Sequence, residues 1–144
     1  MEVCYAQTQN DNLRTEYVNL FKDVHSSVSW ATEALEKEPE AINLWIGNAA
    51  SVTALHRDPY ENIYVVIRGS KEFVLLSGIL WENIEEEWMG LGRYERDVDD
   101  RKLQIVVEDG RVPVATWDPD KLEKKGCVRV EVREGDILYL PALW

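Results

Sequence analysis

Residues 51–71 read SVTALHRDPYENIYVVIRGSK, and within them His56 and Asp58 stand one residue apart. The stretch Ala50–Asp58 reads as a strand closed by Pro59, which cannot donate to a ladder. A strand sends residues two apart to the same side. One imidazole nitrogen and one carboxylate oxygen can then meet at a single point. Such an N,O pair suits a first-row metal, and two histidines plus one carboxylate form the facial triad of non-heme iron(II) oxygenases. The third ligand must come from elsewhere. The other histidine, His25, follows a helix pattern and reads as a capping or solvated group. A single H-x-D also occurs often by chance, which is the plain alternative for His56 and Asp58. From spacing alone, Lys71 is a solvated edge lysine.

His56-Arg57-Asp58 also spells the H-R-D of protein kinases, where an asparagine five residues after the aspartate holds magnesium. Here Asn62 follows Asp58 by four. No glycine-rich loop or V-A-I-K lysine precedes the triplet, and no D-F-G follows it. The kinase reading fails.

At 144 residues the chain suits one domain, with enough length for a core without staples. A net charge of −11 argues against a phosphate-backbone partner, which needs a basic stripe. It is compatible with a cationic partner such as a lysine-bearing protein. Cys4 and Cys127 have no metal-binding spacing and no disulfide framework, which points to a reducing compartment, cytoplasmic or nuclear. No apolar run reaches the ~20 residues of a membrane span, and no signal peptide is visible. The expected partners therefore include neither nucleic acid nor membrane.

The elements that position these residues are read next. Val3–Gln7 reads as a strand. Leu13, Tyr17, Leu20, Phe21 and Val24 make a helical stripe over Asn10–Val24, with Asn10 or Asp11 as cap. Ser29–Lys37 reads as a second helix, ended by Pro39. Ala41–Ile46 and Ala50–Asp58 read as strands around Gly47-Asn48. Ile63–Ile67 is a continuous apolar run, expected as a strand buried on both faces. Lys71–Leu76 runs back, with Lys71, Phe73 and Leu75 on one face. Residues 77–102 read as an irregular insertion with a helical turn at Glu82–Met89. Asp109-Gly110 between Leu103–Glu108 and Arg111–Trp117 is a hairpin signal. Lys121–Lys125 is a charged connector. Cys127–Val132 alternates and reads as a half-exposed strand, and Ile137–Leu140 reads as a buried one. The sum is a helical lead-in over residues 1–40 and a β core over 41–144, in a sandwich or barrel.

Three stretches carry a resemblance. They are YAQTQNDNL, SWATEALEKEPEAINLWIGNAASVTALHRDPYENIYVVIRGSKEF and VREGDILYLPALW. The chain resembles the JmjC (jumonji-C) oxygenases, and most of all their small lysyl-hydroxylase branch. The resemblance implies a double-stranded β-helix, a jelly roll of the cupin type. It implies Fe(II) as metal and 2-oxoglutarate as cosubstrate. His56 and Asp58 match the family's first two iron ligands. Lys71 matches the lysine that pairs with the distal carboxylate of 2-oxoglutarate. Thr53, Asn62 and Tyr5 match positions that line the cosubstrate pocket. Strict alternation would put Thr53 on the face opposite His56, so a bulge must intervene. The implied substrate is a lysine side chain of a protein, and the full-length form is expected to be able to form a homodimer.

The chain departs from the family pattern in three places. The family's third ligand is a histidine two or three residues beyond the tryptophan of the LPALW segment, and Trp144 is the last residue here. A long N-terminal portion precedes the VCYAQ strand in the family. SGILWENIEEEWMGLG stands where relatives run into a proline-rich segment. These departures imply a partial domain, incomplete at the C-terminus. On its own it is expected neither to turn over 2-oxoglutarate nor to stay monomeric. The alternative is a non-catalytic cupin-like module that binds a protein through its acidic Glu82–Asp100 region. A cupin isomerase or storage barrel is disfavoured by Lys71 and LPALW.

Overall fold

A computed structural model describes residues 2–8, 11–99, 101–118 and 126–144. Eight strands and one short α-helix lie among them, so the protein is mostly β. The chain divides into two compact units, Met1–Thr53 and Ala54–Trp144.

In the first unit β1 (Tyr5–Ala6) pairs antiparallel with β2 (Ile46–Gly47). The helix expected over Asn10–Val24 does not form. Residues 11–20 run through successive turns, and only Phe21–Asp23 closes, as a 3-10 helix. The cause is a polar clasp. The Asp11 and Asn12 amides donate to Asn43 Oδ1, and the Leu13 amide donates to the Ile42 carbonyl. In return, the Ile42 amide donates to Asp11 Oδ1 and the Leu44 amide to Asn12 Oδ1, each at 2.7 Å. The donors that would open a helix are thus bound sideways, which is how Asp and Asn side chains compete with helix. Asn12 is fully buried in this clasp. The clasp also cuts the strand expected at Ala41–Ile46 back to Ile46, where β2 begins, because two of its amides face side chains instead of a ladder. The proposed cap Asn10 lies outside the described residues. The second helix does form, as α1 (Ser29–Leu35). It stops at Glu36, which takes a left-handed φ of 51°. The helical lead-in is therefore one α-helix, not two.

In the second unit the strands pair in nested order. β3 (Asn62–Val65) pairs with β8 (Ile137–Leu140), β4 (Ser70–Leu76) with β7 (Cys127–Arg133), and β5 (Glu86–Arg96) with β6 (Leu103–Ala115), all antiparallel. The two corners of this nest touch. The Gly135 amide donates to the Val66 carbonyl and the Glu134 amide to the Gly69 carbonyl, each at 2.9 Å. Gly69 and Gly135 sit at these corners with φ of 82° and 88°, where only glycine is unstrained. On β4, Val74 and Leu76 turn to a small core with Ile84 and Trp117. Lys71 and Phe73 turn the other way, toward Tyr64 of β3.

Several sequence expectations are corrected here. Residues 51–58 form no strand. β3 is half-buried rather than buried on both faces, and Ile67 beyond it is exposed. In β8, Leu140 is buried but Ile137 and Tyr139 are exposed, so that strand alternates. The stretch 77–102 is not an irregular insertion. It holds a 3-10 helix, Gly78–Asn83, and the eleven residues of β5. Asp109-Gly110 does not turn a hairpin. Gly90 pairs with Arg111 and Leu91 with Glu108, which leaves Asp109 and Gly110 as a bulge inside continuous β6. Both flanks find their partner in β5, so the dipeptide's freedom is spent on a bulge, with Gly110 at φ 121°. The connector Lys121–Lys125 lies outside the described residues.

Candidate metal centre

His56 and Asp58 come together without the strand that the spacing suggested. His56 Nε2 lies 3.7 Å from Asp58 Oδ2. His56 Nδ1 is 2.9 Å from the Ala54 carbonyl oxygen. A carbonyl only accepts, so Nδ1–H is the donor there, and Nε2 is the ring nitrogen that faces the carboxylate. This is the arrangement that orients metal-binding histidines. Two donors about 2.1 Å from a common metal stand about 3 Å apart at a right angle. The observed separation is about 0.7 Å wider than that. Both side chains are accessible, at 57% and 42%.

With no ladder to hold it, the segment is fixed by anchors on its flanks. Leu55 packs against the core cluster. The Arg57 guanidinium lies over the Trp81 ring, with Cζ 4.7 Å from its centre. The Asp58 carbonyl accepts the Leu143 amide at 2.8 Å, which ties H-x-D to the LPALW segment. Gly78 makes that approach feasible, because a Cβ there would stand 2.5 Å from the Leu143 carbonyl oxygen. Trp81, Gly78 and Leu143 were invisible to sequence reasoning. They lie outside any periodic pattern and act through the close approach of two non-repetitive segments.

Lys71 is half-buried on β4, with Nζ 5.7 Å from the Tyr64 ring centre and 5.2 Å from that of Phe73. The two rings meet edge to face at 5.0 Å. Burial pulls the Lys71 ammonium below the ordinary lysine value. Asn62 opens β3 opposite Leu140, and its Nδ2 donates to the Tyr60 carbonyl at 3.1 Å. Tyr5, Thr53 and His25 belong to the first unit, and all three are exposed. The structure thus brings His56 and Asp58 together and sets Lys71 in an aromatic corner. No group of three His, Cys, Asp or Glu side chains suited to a metal occurs among the described residues. The residues fit a metal as two donors of a larger set.

A family model described as a cupin-like domain matches residues 1–144. The chain is 38% identical over 161 residues to lysine-specific demethylase JMJ32 of Arabidopsis thaliana, an alignment covering 100% of this chain and 47% of that protein. It is also 38% identical over 152 residues to the human bifunctional peptidase and (3S)-lysyl hydroxylase JMJD7, covering 99% of this chain and 48% of that one. JmjC domain-containing protein E of Dictyostelium discoideum is 33% identical over 162 residues, 97% of this chain and 46% of its own length. The chain spans about half the length of these curated relatives. With a family model running through every residue and JmjC-type relatives aligned along nearly all of it, the chain belongs to the cupin-like (JmjC) domain family.

Proposed function

We propose that this chain is part of an Fe(II)- and 2-oxoglutarate-dependent hydroxylase acting on a lysine side chain of a protein. One observation carries the reading: an imidazole held at Nδ1 by a carbonyl turns its Nε2 to within 3.7 Å of a carboxylate oxygen. The nested order of β3–β8, β4–β7 and β5–β6 is that of a wrapped hairpin, which supports a double-stranded β-helix. Two relatives are named for lysine chemistry, one a demethylase and one a hydroxylase. The net charge of −11 suits a basic substrate segment.

In this reading His56 Nε2 and Asp58 Oδ2 hold iron, and a third donor comes from outside the described residues. Bound iron with 2-oxoglutarate supplies the oxidation of an unactivated C–H bond by dioxygen. The protein's own work is orientation. The His56 Nδ1 contact to the Ala54 carbonyl fixes the ring so that Nε2 faces Asp58. Lys71 offers its ammonium to the distal carboxylate of the cosubstrate, a charge-assisted pairing inside an aromatic corner. Tyr64 and Phe73 cover part of that side chain. Asn62 lines the cosubstrate on the side of β3. The partner is a lysine-bearing protein in cytoplasm or nucleus, and nucleic acid and membrane have no role.

The test is 2-oxoglutarate-dependent succinate formation. We expect none from the 144-residue chain and turnover from a longer form of the protein that adds a third donor. His56→Ala or Asp58→Ala in the longer form should lower turnover by at least about 100-fold, since loss of a direct ligand exceeds the ~10–100-fold cost of losing its support. Full turnover by His56→Ala would refute the assignment. The absence of a three-donor group among the described residues favours one other reading, a cupin-like module that binds protein without chemistry. It predicts that the longer form also fails to form succinate.

A further inference from the structure

His56 and Asp58 flank Arg57, and Arg57 is the residue of this triplet that reaches back to the core. Its guanidinium lies 4.7 Å from the centre of the Trp81 ring. Trp81 rides on the 3-10 helix Gly78–Asn83 and packs against the cluster of Leu76, Ile84 and Trp117. An indole face holds a guanidinium more strongly than any other side-chain ring, by electrostatics and by flat stacking. Arg57 is exposed, so no buried charge demands the contact. Residues 51–58 lack a strand ladder, so side-chain anchors determine which way His56 and Asp58 face. Trp81 stands in the stretch SGILWENIEEEWMGLG, where this chain leaves the family pattern.

We propose that Trp81 is a positioning residue for the donor pair, acting through Arg57. With the middle residue of the triplet stacked on the core, the backbone of His56-Arg57-Asp58 keeps one conformation. Nε2 and Oδ2 then stay within reach of one metal. The purpose of this device rests on the metal-centre reading, whereas its geometry does not. Trp81 Nε1 is buried and bonds to no protein atom among the described residues. Replacing the indole by a phenyl ring therefore breaks no protein hydrogen bond, which separates the stacking role from a purely structural one.

The experiment compares Arg57→Gln, Trp81→Phe, Trp81→Leu and the Arg57→Gln/Trp81→Leu double variant with the parent chain. Long-range 1H–15N correlation reads the His56 tautomer, and the arginine δ-methylene shift reads the stack. The parent should show His56 protonated at Nδ1, and Arg57 δ-protons shifted upfield by the indole. Arg57→Gln and Trp81→Leu should each move His56 toward mixed tautomers, and the double variant should go no further than either single one. Trp81→Phe should retain part of the parent signature, with a melting temperature within a few degrees of it. Co(II) affinity should fall about three- to tenfold in Arg57→Gln, the range that a partly exposed cation–π contact allows. Unchanged His56 signals in Arg57→Gln, or additive effects in the double variant, would overturn the proposal. If His56 responds but Co(II) binds neither parent nor variant, the positioning stands and the metal reading falls. If Co(II) binds parent and Arg57→Gln alike, the metal reading stands and the positioning falls.

Discussion

At the scale of single residues, the site sets two requirements against each other. A half-buried ammonium suits an incoming dicarboxylate, but its burial costs stability. Burial lowers the proton affinity of Lys71 in the folded chain, so the unfolded chain binds more protons between that lowered value and the ordinary lysine value. Stability therefore climbs with pH across that window, and the cost stands in full below it. Lys71→Met should raise the unfolding free energy read by urea titration below that window, by less than about 1 kcal/mol because water still screens half of the group. The gain should vanish as pH approaches the ordinary lysine value. The same variant should lose 2-oxoglutarate retention in the turnover-competent form. An unaltered unfolding free energy together with unaltered retention would show that Lys71 is an ordinary surface lysine. The H-x-D pair was legible because two-residue spacing is informative in any extended chain. The reason given for it was not the operative one: alternation in a strand was expected, whereas anchors on an irregular segment do the work.

At the scale of elements, glycine positions are the sharpest tests. Gly78→Ala places a Cβ 2.5 Å from the Leu143 carbonyl oxygen, so the C-terminal turn must move. The expected result is loss of hydrogen-exchange protection at the Leu143 amide, which donates to Asp58, and a destabilisation of about 1–3 kcal/mol. Retained protection would mean that the turn does not brace H-x-D. Gly110→Val forces a β-branched residue to φ 121° within the β6 bulge, at a cost of about 1–3 kcal/mol by chemical denaturation. A hairpin turn and a bulge both want Asp-Gly, so the local signal could not separate them; the eleven-residue partner β5 decided it. β5 itself was illegible because its side chains are almost all exposed, which erases apolar alternation. The Asn10–Val24 stripe misled for the opposite reason. Its periodicity is present, but Asp11 and Asn12 bind the segment 42–44 and divert the first turn.

At the scale of the whole molecule, the described sheets have two strands each, and buried apolar residues are few. Two-stranded sheets are marginal until a further apolar surface covers them. On β6, Leu103, Ile105 and Val107 share one face, and Val107 is 79% exposed. Tyr94 stands opposite Ile105 and is 72% exposed. A core adequate without staples, as length alone suggested, is not what these residues build. The 144-residue chain should self-associate with rising concentration in sedimentation velocity, and Ile105→Lys should reduce that association. A monomer at every concentration, with one cooperative unfolding transition, would contradict this. Composition could not reveal it, because an apolar residue counts the same whether covered or bare.

The central claim is that His56 Nε2 and Asp58 Oδ2 serve one metal, and Co(II) titration of the chain followed by NMR tests it most directly. The account predicts saturable paramagnetic shifts confined to the side chains of His56, Asp58 and their neighbours, lost on Asp58→Asn. Broadening that spreads over the acidic surface, or a His56 ring untouched by the metal, would contradict it.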